Sequence, residues 1–424
     1  MKTIVLIGAG KSATVLIDYL IAESETNNWK FIIADSNRDL ILAKTNNSPF
    51  AEAVQLDVLN EAQRGKLIER AHVVISMMPP ALHFLIAKDC VEYRKHLLTA
   101  SYLDDKMKSL QDEINDRKLL FLCEMGLDPG IDHMSAMKII DDIKAKGGKI
   151  TSFKSHCGGL TAPESDNNPW HYKISWNPRN IVMAGQSGAV YKENGETKTI
   201  KYTELFDVSN KIVFDGLNDL AFYPNRDSLS YIPTYKLPDA ATFIRTTLRH
   251  VDFFKGWNAI VHAGLTNDTD AVDVTGLTVK KWSEPVLPFV NKENEAMLKF
   301  LGLFDDAVVP GTAKNSADIL QSLVETKLKM MPADKDMIVM LHEFEYVLNG
   351  ENKSIKSCLV AKGEDSLRTA MAKTVGLPLG IAAKLILNGM LQLKGLHIPT
   401  AKEIYEPVLM ELDKAGIRFT EVNG

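Results

Sequence analysis

A chain of 424 residues is long enough for two to three domains. Hydrophobic residues supply 45% of it and charged residues 24%, and 26 glycines with 17 prolines are too few for a collagen-like or low-complexity protein. A net charge of -5, from 49 basic and 54 acidic residues, argues against a nucleic-acid partner, although a few arginines in a cleft suffice for a small anionic substrate.

Thr3–Ile7 is a short continuous apolar run, as expected of a strand covered on both faces. It enters Gly8-Ala9-Gly10-Lys11-Ser12-Ala13 and then a stretch with Val15, Leu16, Tyr19 and Leu20 at helical spacing. A second strand, Phe31–Ala34, ends at Asp35. Further strands are predicted at Ala53–Leu56, Val73–Ile75, Leu97–Ala100 and Leu119–Leu122. Helices at about Arg38–Thr45, Glu61–Glu69, Leu82–Val91 and Asp104–Asp116 separate most of them. This alternation predicts an α/β fold, a Rossmann-type doubly wound parallel sheet.

The pattern changes after Cys123. Met134–Ala145 reads as a helix and Ile150–His156 as a strand, followed by the Gly/Pro-rich Cys157–Pro169. Ile181–Lys192 and Thr197–Tyr202 read as hairpin arms around Asn194-Gly195. Trp257–Leu328 is mostly helical, broken at Pro285, Pro288 and Pro310. Met337–Asn349 alternates as a strand, and Asp365–Thr374 and Leu377–Leu387 read as two apolar helices. Strands without regular helices between them predict an α+β domain after the first fold.

Cys90, Cys123, Cys157 and Cys358 are widely spaced, which disfavours a disulfide framework or a zinc ribbon. The N-terminal apolar run is too short for a signal peptide core. The longest stretch without Asp, Glu, Lys or Arg, Ala71–Ala87, is split by Pro79-Pro80, so no transmembrane helix is expected. The expectation is a reduced, cytoplasmic, soluble protein.

The glycine motif follows a strand and opens a helix, and Asp35 comes about 20 residues later at the end of the second strand. Gly8 permits the tight turn, Gly10 lets a pyrophosphate approach the backbone, and Ala13 keeps the helix close to the sheet. The helix N-terminus then offers N–H groups to phosphates. The motif therefore predicts a dinucleotide. Asp35 can accept from both adenosine ribose hydroxyls and would repel a 2′-phosphate, which points to NAD. Arg38 beside it keeps NADP as the alternative.

Cys123-Glu124-Met125-Gly126-Leu127-Asp128-Pro129-Gly130-Ile131-Asp132-His133 closely resembles a segment of the L-glutamate-forming saccharopine dehydrogenases. Ser101-Tyr102, Cys157–Glu164, Asn168-Pro169, Tyr172–Trp176, Tyr223–Ser228, Thr247-Leu248-Arg249, Ala370–Lys373 and Val375-Gly376 match in the same order, so the resemblance spans essentially the whole chain. Thr161, Asn180, Thr246 and His250 depart from the family's usual residues.

The resemblance implies oxidation of saccharopine's secondary amine by NAD(P)+, giving L-glutamate and 2-aminoadipate 6-semialdehyde in lysine metabolism. It implies a Rossmann domain over 1–130, completed by about 376–424. Residues 131–375 would form an inserted substrate-binding and dimerisation domain, with a small helical lobe at about 255–330. Asp128, Cys157 and Tyr102 would be catalytic. Gly8, Ala9, Gly10, Lys11, Ser12, Asp35, Asp57, Ser76, Leu127, Asp128, Pro129 and Ser175 would bind cofactor. Ser101, Tyr102, Asp128, Arg226, Thr247, Leu248 and Arg249 would bind substrate, with Arg245 ranked lower on the reading that it shares a helix face with Arg249. No metal is expected, and a homodimer is. Two other readings are a related dehydrogenase, such as one acting on carboxynorspermidine, and a non-catalytic dinucleotide-sensing protein.

Overall fold

Six short strands build the first sheet. They are β1 (Thr3–Ile7), β2 (Lys30–Asp35), β3 (Ala51–Gln55), β4 (Val73–Ser76), β5 (His96–Thr99) and β6 (Leu120–Leu122). In the computed structural model, which describes residues 1–214 and 216–424, all pair in parallel in the order β6-β5-β4-β1-β2-β3, and Gly395–His397 adds a parallel edge strand beyond β6. The helices α1 (Thr14–Asn27), α2 (Arg38–Thr45), α3 (Glu61–Glu69) and α4 (Pro80–Glu92) follow β1 to β4 in turn. This is the Rossmann strand order. Its direction of winding reverses between β1 and β4, and ligands of such sheets bind outside the strand carboxyl ends at that reversal. Gly8 and Ser76 stand there, one just beyond β1 and the other ending β4.

The chain forms two units, Met1–Ala145 with Leu367–Arg418, and Lys146–Ser366 with Phe419–Gly424. These bounds differ from 1–130 with 376–424. Helix Ile131–Ala145 belongs with the sheet before it, and it packs on helix Lys402–Lys414, where the Tyr405 hydroxyl donates to Asp141 Oδ2 at 2.7 Å. The two apolar helices expected at 365–387 are one, Ala370–Leu387, running through Pro378. It lies along α1, and glycines allow the approach, since a Cβ at Gly376 would stand 2.9 Å from Leu16 Cβ. By length and composition this helix meets the requirement for crossing a membrane, but 78% of it is buried within the protein. Lys373 and Lys384 interrupt its apolar run, so it contains no long charge-free stretch. The helix expected at Asp104–Asp116 is two, Asp105–Lys108 and Gln111–Asp116.

The second unit is a mixed sheet. It contains β7 (Lys149–Thr161), β8 (Ala189–Glu193), β9 (Glu196–Ile200), β10 (Lys211–Phe214), β11 (Leu217–Pro224), β12 (Arg226–Asp227), β13 (Thr242–His250), β14 (Asp336–Leu348) and β15 (Glu351–Lys362). The main path runs β10-β11-β13-β7-β14-β15 and ends on the C-terminal strand Phe419–Asn423. Strand β7 does not stop at His156 but continues through Cys157-Gly158-Gly159 to Thr161, because β13 and β14 flank it. The expected hairpin is present at Asn194-Gly195, but its first arm is shorter. Pro178–Val182 is helical, capped by the Asn177 side chain, which accepts from Arg179 N–H. The segment expected to be mostly helical contains helices Val251–His262, Glu295–Leu301 and Ser316–Lys327, which with the fully buried Trp170 and Trp257 form one apolar cluster.

Candidate active site

The glycine loop has the shape of a dinucleotide cradle. Gly8 holds φ at +103°, and a Cβ there would lie 2.8 Å from the Met77 carbonyl oxygen. A Cβ on Gly10 would meet nothing within 4 Å, which leaves its backbone open to a phosphate. Lys11–Ala13 form one 3-10 turn leading into α1, with Ala13 fully buried against the sheet. These features fit a bound dinucleotide.

Asp35 ends β2 and is already engaged. Its Oδ2 accepts from Ala9 N–H at 2.8 Å, and its Oδ1 accepts from Asn37 N–H at 3.0 Å. Lys44 reaches across to donate to the Gly10 carbonyl at 2.6 Å. Burial pulls its ammonium down to about 8, against the opposing pull of Asp35 and Asp18. Sequence reading missed Lys44, and its position in the last turn of α2 gave no local signal. Asp57 is exposed and its Oδ1 accepts from Leu59 N–H. Ser76 is buried, with its hydroxyl against His83.

Tyr102 and Asp128 sit on two loops that one carboxylate ties together. Glu124 donates its N–H to the Ser101 carbonyl at 2.9 Å, and its Oε1 accepts from Leu103 N–H at 3.0 Å. Its Oε2 lies 2.7 Å from His133 Nε2, both residues being buried. The Asp128 loop closes on itself, with Gly126 N–H donating to Pro129 O at 3.0 Å. Asp132 Oδ1 accepts from Gly130 N–H at 2.6 Å. Thus Asp132 and His133 brace the loop, while Asp128 and Tyr102 remain partly exposed, and Leu127 and Pro129 are buried beside them.

In the second unit the sheet register gathers a row of side chains. Thr247 on β13 pairs with Tyr223 on β11 and with Cys157 on β7, and Cys157 pairs with Met340 on β14. Residues two apart on a strand share a face, so Arg245, Thr247 and Arg249 project on one side. Arg245 and Arg249 therefore share a strand face rather than a helix face. Leu248 points the other way into an apolar cluster with Leu160 and Val339, so its side chain is core. Gly158 packs against it, where a Cβ would lie 2.7 Å from Leu248 Cβ. That explains the glycine directly after Cys157.

Arg249 is the most telling residue of the row. It is 5% exposed, and its guanidinium lies 5.3 Å from the Tyr172 ring centre and 5.8 Å from that of Phe253. Its Nη1 donates to the neighbouring Leu248 carbonyl, and its Nε has no hydrogen-bond partner. Among the described residues no carboxylate comes within ion-pair distance of it. Arg245 is equally buried and lies 4.4 Å over the Tyr231 ring. Arg226, expected at the substrate, is exposed on β12 with φ at +53°. Ser175 is buried near the bridge from Ile174 to Lys329.

The departures at 246 and 250 have local partners. Thr246 Oγ1 lies 2.7 Å from His156 Nδ1, and His250 stacks on His171 with ring centres 3.9 Å apart. His171, His250 and Asp252 have the composition of a metal site. Their atoms are occupied otherwise, since Asp252 N–H donates to His250 Nδ1, Lys255 pairs with Asp252 and His171 with Asp166.

A Rossmann sheet with an open glycine cradle defines the class of dinucleotide-binding folds. The saccharopine dehydrogenase NADP binding domain matches residues 4–122, and the saccharopine dehydrogenase C-terminal domain matches residues 126–417. The chain belongs to the saccharopine dehydrogenase family. It is 36% identical to alpha-aminoadipic semialdehyde synthase of Mus musculus, over 99% of this chain and 47% of that one. It therefore spans about half the length of such mammalian relatives. It is 31% identical to saccharopine dehydrogenase [NADP(+), L-glutamate-forming] of Schizosaccharomyces pombe, over 99% of both chains. The solved apo saccharopine dehydrogenase (L-Glu forming) of Saccharomyces cerevisiae superposes with a TM-score of 0.88, at 31% identity and full coverage of both chains.

Proposed function

We propose that this protein oxidises saccharopine with a nicotinamide dinucleotide, yielding L-glutamate and 2-aminoadipate 6-semialdehyde. Arg249 carries this reading. A buried guanidinium without a carboxylate partner is costly unless a ligand supplies one, and saccharopine has three carboxylates. The names of similar full-length fungal proteins support the same substrate.

The cofactor supplies the hydride acceptor. A C–H bond next to the substrate nitrogen breaks as its pair leaves, and this needs the amine unprotonated. Water then adds to the resulting C=N bond and the C–N bond breaks, releasing glutamate and aldehyde with net loss of one proton. Asp128, Tyr102 and Cys157 are the groups we assign to proton transfer in these steps. Arg249 and Thr247 are the residues we assign to holding the substrate, with the exposed Arg226 as a third.

For the cofactor, the family description and the fungal names favour NADP, against the expectation of NAD from Asp35. Lys44 and Arg38 are the cations available to a 2′-phosphate. NAD is the second reading, favoured by the Asp35 carboxylate at the end of β2. Initial rates of saccharopine oxidation with each cofactor decide between them, and a protein that reduces neither overturns the proposed activity. We further propose that the protein is a homodimer, and a monomeric mass in light scattering would refute that.

A further inference from the structure

His83 lies in the first turns of α4 and is buried. Its Nδ1 is 2.7 Å from Ser76 Oγ and its Nε2 is 2.6 Å from Ser101 Oγ. Thr99 Oγ1 is a more distant neighbour of Nε2 at 3.5 Å, and it accepts from Ser101 N–H at 3.2 Å. Ser76 ends β4, Thr99 ends the adjacent β5, and the two are register partners. One imidazole thus bridges two strand ends at the sheet's carboxyl edge. Its ring is kept neutral, since burial lowers it to about 4, partly opposed by Asp104.

A neutral imidazole has one donor and one acceptor. One serine must therefore donate to it while the other accepts. The ring cannot satisfy both contacts without fixing the direction of each hydroxyl. Nothing in the activity read above uses His83, yet both of its partners stand at the expected cofactor and substrate positions.

We propose that His83 is a positioning residue that orients the Ser101 hydroxyl toward substrate while anchored on Ser76. This rests on Ser101 contacting saccharopine. The pairing differs from a nucleophile–base pair, because neither serine has a further acid behind the histidine among the described residues and no bond to the substrate is formed by it.

The test is a double-mutant cycle on the full chain. His83→Phe removes both hydrogen bonds, and we expect it to lower kcat/KM for saccharopine about 10- to 100-fold, the usual scale for a group that orients another. The cofactor KM should change less than about threefold, and His83→Asn, which keeps a donor and an acceptor, should recover part of the loss. Ser101→Ala combined with His83→Phe should be no worse than Ser101→Ala alone. Additive losses, or an equal effect on the cofactor KM, would overturn the proposal. If His83→Phe does not fold, nitrogen-15 NMR of the wild-type imidazole replaces it. One neutral tautomer at pH 7 whose signals shift with saccharopine is expected, and a ring indifferent to saccharopine overturns the proposal. A wild type that oxidises no saccharopine overturns the functional reading instead.

Discussion

Arg249 concentrates the argument at the scale of single residues. Its guanidinium lies within cation–π distance of two aromatic neighbours, Tyr172 and Phe253. Arg249→Ala should lower kcat/KM for saccharopine by about 100-fold or more, the scale of a lost charge-assisted pair, and leave the cofactor KM within about threefold. Arg249→Lys should recover only part of this, because an ammonium lacks the planar fork. Steady-state kinetics with each substrate varied checks both. Asp35 is the second such residue. Asp35→Ala removes the acceptor of the Ala9 N–H and the charge that we propose faces an adenosine ribose. Its kcat/KM should move toward NADP relative to NAD, and an unchanged ratio would show that Asp35 has no part in cofactor choice.

At the scale of elements, the Gly126–Gly130 loop is held more tightly than any sequence motif reveals. Gly130 has φ at +147°, and a Cβ there would stand 2.1 Å from the Gly126 carbonyl oxygen. Gly130→Ala should cost several kcal/mol, about the scale of backbone incompatibility with a buried clash, read as a large drop in Tm. The histidines bearing on the strand ends add a pH dependence. Burial lowers His83 and His96 to about 4, below the unfolded value near 6.5. Unfolded histidine therefore takes up protons that the native protein refuses. The stability from these two is complete above about pH 6.5 and is lost as pH falls toward 4. Tm measured across that window should fall less steeply in a His96→Asn variant. The element scale is also where sequence reading was weakest. Strand β13 was missed because Arg245 and Arg249 break its apolar alternation, and only tertiary burial explains them. Strand β15 was missed despite its signal, an Asn349-Gly350 turn with both residues at positive φ. The glycine motif, β1 to β6 and the Asn194-Gly195 hairpin were legible because local chemistry alone dictates them.

At the scale of the whole molecule, the two units hold different sets of the residues singled out above. The first holds the glycine cradle and the Tyr102 and Asp128 loops, and the second holds the Cys157–Thr247 row and its arginines. The expected bounds differ from the two units at both junctions, because matching motifs locate segments without saying which core the elements between them join. Helix Ile131–Ala145 and strand Phe419–Asn423 were each placed in the wrong unit for that reason. The site residues came from long motifs, which identify segments but not side-chain direction, and so Leu248 was expected at substrate although its side chain faces the core. The net charge of -5 says nothing against an anionic substrate once two buried arginines are in view. The most direct test is an assay of the purified protein with saccharopine and NADP, then NAD, following reduction of the nicotinamide and release of glutamate. The account predicts saccharopine-dependent reduction with one glutamate formed for each dinucleotide reduced. Reduction without glutamate, or none with either cofactor, would contradict it.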